Sequence, residues 1–144
     1  MKTLLSALIL CLPILLTAQN NVSGTWKGII TQDEGGYRST YDMELVLKQD
    51  GNKVTGRSTV RVDDIFAVMV LEGEITGGGY FRFQESQIVD SKRAENLEWC
   101  IKRGQLLLKA EKDEWKLEGF WQGSTSFSQC IPGKIFLKKT VPRA

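Results

Sequence analysis

From Gly24 onward, apolar residues recur at a period near two, in short runs bounded by Gly, Asp and Asn. That spacing marks strands with one face in a core and the other in water, and helical spacing is scarcely present. Trp26, Gly28 and Ile30 stand against Lys27 and Thr31; Tyr41, Met43, Leu45 and Leu47 alternate with Asp42, Glu44 and Lys48. Val54, Gly56, Ser58, Val60 and Val62 follow, then Ala67, Met69, Leu71, Gly73 and Ile75 within the run from Ile65 to Ile75. The remaining runs are Phe81-Phe83, Leu97-Trp99-Ile101, Leu106-Leu108-Ala110, Leu117-Gly119-Trp121 and Ile135-Leu137, which makes nine short strands. Asp50-Gly51-Asn52 and Gly77-Gly78-Gly79 supply the positive φ that tight hairpins need.

The connections are short except Ser86 to Asn96 and Gly123 to Pro132, with no crossover helix. Strands joined this way predict an all-β fold, a single antiparallel meander of eight to nine strands. Closing such a meander into a small barrel removes its exposed edges. Gly56, Gly73 and Gly119 each fall mid-strand on the inward face, two positions after an apolar residue. Glycine there weakens a strand unless sharp curvature or close backbone approach demands it, so these three are assigned a structural role and favour a barrel over a sandwich.

Before this domain, Lys2 precedes a 13-residue apolar run from Leu4 to Leu16, followed by Thr17-Ala18 and an abrupt polar turn at Gln19. The run is too short to span a bilayer comfortably and reads as a secretory signal peptide over 1–18, leaving a β-barrel domain over 19–144. The expected location is secreted or periplasmic, with no stable membrane span. Removing Lys2 lowers the formal net charge by one from +2. Cys100 and Cys130 then remain as a pair in an oxidising compartment, where a disulfide is expected. Closing a loop of about 30 residues corresponds to roughly 3–4 kcal/mol in the chain-entropy picture.

The chain has no His, which excludes Ser-His-Asp and Cys-His nucleophiles and His-bearing metal sites. Paired carboxylates are the best surviving enzymatic option. The acids, however, fall mostly in turns or on outward positions beside lysines, as at Asp63-Asp64, Glu72, Glu74 and Glu118. No enzymatic activity, metal or cofactor is therefore expected. Glu85 and Arg103 are the exceptions, because strand parity points both inward, where they would rim a pocket. Nucleic acid is not an expected partner: charges balance locally, and no aromatic-basic strand pair forms a stacking platform. Gly77-Gly78-Gly79 lacks the helix and the Lys-Ser/Thr of a phosphate-binding loop.

Gly24-Thr25-Trp26, opening the first strand, resembles the Gly-x-Trp signature of lipocalins and the related avidin-like barrels. The resemblance implies a barrel whose tryptophan, here Trp26, packs across the closed end against a basic residue near the last strand. Lys138, Lys139 and Arg143 lie in that region. It implies no particular ligand.

Strand parity places Trp26, Met43, Leu45, Leu71, Phe81, Phe83, Trp99, Leu108, Leu117 and Trp121 inside. In a barrel of this size these residues either pack into a core or line a small cavity. A cavity would be apolar and aromatic, suited to a small hydrophobic ligand, with Met43, Leu45, Phe81, Phe83, Trp99 and Trp121 as the expected contacts. On the outside, Leu107, Phe120 and Phe136 fall on three successive late strands, and Phe66, Val68 and Val70 on an earlier one. Such a patch calls for a protein partner, a covering segment or a second subunit, and an interaction or assembly module is the alternative reading.

Overall fold

The structure is a computed structural model that describes residues 21–141. The expected signal peptide over 1–18 lies outside the described residues. Eight strands follow in chain order: β1 (Gly24–Thr31), β2 (Thr40–Asp50), β3 (Lys53–Val62), β4 (Ile65–Thr76), β5 (Tyr80–Lys92), β6 (Ile101–Glu111), β7 (Glu114–Ser124) and β8 (Gly133–Lys139). Each pairs antiparallel with the next, and β8 returns to β1, so the meander closes into a barrel. This is an architecture consistent with a lipocalin-like barrel.

Two features of the strand pattern differ from expectation. The segment expected to connect Ser86 to Asn96 largely continues β5, which follows β4 to Lys92 through bulges between Val68 and Met69 and between Val70 and Leu71. In addition, Leu97-Trp99-Ile101 is not a strand: only Ile101 is, as the first residue of β6. Because the extended chain begins there, the period-two count restarts at Ile101. Lys102 points inward, and Arg103 lies exposed on the outer face, not inside as parity from Trp99 implied.

The hairpins β2–β3, β4–β5 and β6–β7 gather at one end, and this half is filled. Trp26, Leu45, Phe81, Leu106, Leu117 and Ile135 are completely buried there. Trp26 closes the end: its indole N–H donates to the Val22 carbonyl at 2.8 Å, and Lys139 Nζ lies 5.8 Å from the ring centroid.

The inward glycines explain how the sheet coils so tightly. A Cβ at Gly56, Gly73 or Gly119 would overlap the carbonyl oxygen of Val46, Arg82 or Gln105, each on a neighbouring strand. A side chain there forces the strands apart.

Outside, a row of cross-strand partners runs Tyr80, Leu107, Glu118, Phe136 and Ile29 over five strands. Phe120 is 60% exposed and sits diagonal to Phe136. The earlier outward group is half-buried instead, and the Arg61 guanidinium lies 5.3 Å from the Phe66 ring centroid.

Gly119→Ala is expected to lower the unfolding free energy by about 1–3 kcal/mol, the range of overpacking in a rigid interior. Urea denaturation measures this, and a variant as stable as the parent would show that the close strand approach is not required.

Candidate functional site

At the other end the barrel opens, and the cause lies between β5 and β6. Their ladder runs only from Tyr80–Leu107 to Gln84–Arg103, whereas β6 stays paired with β7 along its whole length. Beyond Gln84, β5 follows β4 away from β6 and leaves a seam in the wall.

The first inward residue past the end of that ladder is Glu85, 1% exposed. Its Oε2 accepts the backbone N–H of Lys102 at 2.9 Å and lies 3.0 Å from Lys102 Nζ; its Oε1 accepts the Ser58 hydroxyl at 2.6 Å. One carboxylate therefore joins β3, β5 and β6 where backbone pairing stops. Lys102 Nζ also donates to the Cys100 carbonyl at 3.1 Å and faces Met69 Sδ at 3.6 Å. Both ions are desolvated, which is tolerable only because each is paired and hydrogen-bonded.

Above this pair is an open-mouthed cavity of about 70 Å³, lined mainly by apolar groups from Ile30, Tyr41, Val60, Leu97, Trp99 and Trp121, with Lys102 in its wall. At about 10–15 Å³ per enclosed water, that is room for roughly five to seven waters, or for one end of a small organic molecule. Tyr41 and Trp99 meet edge to face, with centroids 6.5 Å apart. The Tyr41 hydroxyl donates to Gln32 Oε1 at 2.6 Å and accepts the Arg38 N–H at 3.1 Å. Burial pushes this hydroxyl above its ordinary pKa of 10.0, and the Arg38 hydrogen bond and charge offset only part of the effect.

The rim is tied together. Cys100 and Cys130 form a disulfide between the segment ahead of β6 and the β7–β8 loop. Glu98 Oε1 accepts the N–H and hydroxyl of Ser126, and Trp99 Nε1 donates to the Lys92 carbonyl at 3.1 Å. Trp121 Nε1 is fixed by the Thr31 carbonyl at 2.8 Å. Leu97 to Cys100 thus spans the seam as a strap that carries Trp99 into the cavity wall.

Of the six side chains expected to contact a ligand, the cavity brings together Trp99 and Trp121. Met43, Leu45, Phe81 and Phe83 are buried in the packed interior and do not line it. Alternation tells which face a residue takes but not its depth along the barrel. Glu85 faces inward as parity implied, but it is sealed beneath the cavity. Lys102 was missed altogether; the Leu106-Leu108 parity, extended back along β6, would have found it.

Comparison with protein-family models, curated proteins and solved structures returned no match to this chain.

Glu85→Gln and Lys102→Met alone are each expected to cost about 3–5 kcal/mol, because each strands a buried ion. The double variant should cost less than their sum in urea denaturation, and strictly additive losses would refute coupling. Spectrophotometric titration should show a tyrosine ionising above its ordinary value, absent in Tyr41→Phe. Since the folded protein holds this proton more tightly, stability falls as pH rises past the ordinary tyrosine range. A titration unchanged in Tyr41→Phe would contradict the assignment.

Proposed function

We propose that this protein is a secreted or periplasmic, non-enzymatic, lipocalin-like binding protein that takes one end of a small, largely apolar ligand into the open end of its barrel. The observation that supports this reading is the contrast between the two halves: one is packed solid behind Trp26, and the other keeps an aromatic cavity with a strapped rim. Concave, mostly apolar sites with a few convergent polar groups are the usual form of small-molecule sites. Trp99 and Trp121 are the proposed ligand contacts, together with Tyr41 and Val60, while Trp26, Gly56, Gly73 and Gly119 serve the fold.

A second reading is favoured by one specific observation. Phe120, 60% exposed, lies diagonal to Phe136, 40% exposed, which pairs directly with Ile29, and the three form an outer apolar cluster suited to a second copy or a protein partner.

The two readings separate in a titration with N-phenyl-1-naphthylamine, followed by quenching of tryptophan emission. Saturable binding is expected, weakened about tenfold or more, the equivalent of 1.4 kcal/mol, by Val60→Phe, which fills the cavity. Phe120→Ser should leave it unchanged. Binding lost in Phe120→Ser but retained in Val60→Phe would place the apolar surface that matters outside the barrel.

A further inference from the structure

Besides Gln32, Tyr37, Tyr41 and Glu98, the cavity is lined by Lys102, and the ammonium of Lys102 has one weakly engaged donor. An ammonium carries three donors. Lys102 directs one to Glu85 Oε2 and one to the Cys100 carbonyl, both strong acceptors at 3.0 and 3.1 Å. The third has only Met69 Sδ at 3.6 Å, and a thioether is a weak acceptor. Lys102 lines the cavity, whereas Glu85 does not. A ligand acceptor that reaches Lys102 therefore replaces a weak sulfur contact with a full hydrogen bond, in a setting where such bonds are strong.

The charge state limits what that atom is. Glu85 already neutralises Lys102, and both side chains are almost wholly shielded from solvent, at 0% and 4% exposed. A carboxylate ligand would add an uncompensated negative charge beside Glu85. A neutral acceptor completes the third hydrogen bond without disturbing that balance.

We propose that Lys102 is the recognition element of the cavity, and that the buried end of the ligand carries an uncharged hydrogen-bond acceptor, a ketone, aldehyde, ester or amide carbonyl, in place of a carboxylate. This rests on the small-molecule reading above and specifies its ligand class. The Glu85 carboxylate acts as a positioning group, holding the ammonium against the wall through Lys102 Nζ and the Lys102 N–H.

Three naphthalene probes of nearly equal shape test it: 2-acetylnaphthalene, 2-isopropenylnaphthalene, in which CH₂ replaces the carbonyl oxygen, and 2-naphthoate. Their affinities are measured for the parent and for the neutral double variant Glu85→Gln with Lys102→Met. The ketone-to-alkene affinity ratio should fall about tenfold in the variant, the loss of one hydrogen bond from a charged donor, and naphthoate should bind the parent more weakly than the ketone. In the parent alone, which needs no variant to fold, the ketone should move the Lys102 Nζ–H nitrogen resonance and the alkene should not. The bound carbonyl stretch should also lie below its position in hexane. A ratio unchanged between the proteins, a Lys102 resonance unmoved by bound ketone, or naphthoate binding tighter than the ketone would each overturn the proposal. If N-phenyl-1-naphthylamine binds in the cavity while the ketone does not, the ligand class is wrong and the binding reading stands. If no probe binds, both fall.

Discussion

A single buried carboxylate determines how this barrel ends. Where β5 parts from β6, the wall loses its backbone ladder, and Glu85 takes up the Lys102 N–H, the Lys102 ammonium and the Ser58 hydroxyl in its place. Removing two ions from water costs several kcal/mol per ion even after relaxation, so the pair is weak evidence of stability for its own sake. Its geometric effect is clearer. It gives the Lys102 amide an acceptor where β5 no longer supplies one, and that interruption makes room for a cavity.

The two halves of the barrel follow from that division. Below the pair, inward glycines let neighbouring strands approach until their carbonyls would touch a Cβ, and the reduced lumen is filled by side chains behind Trp26. Above it, the strands are no longer drawn together on all sides. The strap from Leu97 to Cys100 covers the seam, held by a disulfide at one end and by the Trp99–Lys92 hydrogen bond along its course. A packed core and a ligand cavity are therefore not alternatives here, since each occupies its own end.

The fold was legible because period-two alternation is a local property. The runs around Met43, Val60, Met69 and Leu117 each mark their own inward face, and Asp50-Gly51-Asn52 and the glycine triplet mark their own turns. The Gly24-Thr25-Trp26 motif and Lys139 meet at the closed end as the resemblance implied. The site was only half legible. Trp99 and Trp121 could be named as inward, but nothing in an alternating pattern separates them from Phe81 or Leu45, which sit deeper. Lys102 escaped because the parity of Trp99 was carried through a segment that is not a strand, and a one-residue slip turns every following side chain over. The end of the β5–β6 ladder is a long-range event that leaves no local mark beyond the glutamate that relieves it.

Amide hydrogen exchange at Lys102 tests the role of Glu85 most directly, because this N–H is protected by a side chain on another strand. In the folded protein it should exchange as slowly as the amides of the neighbouring β6–β7 ladder, and Glu85→Ala should release it selectively while the β1–β2 amides stay protected. A Lys102 amide that exchanges at the rate of the exposed β7–β8 loop in the unaltered protein would contradict the claim that this carboxylate closes the seam.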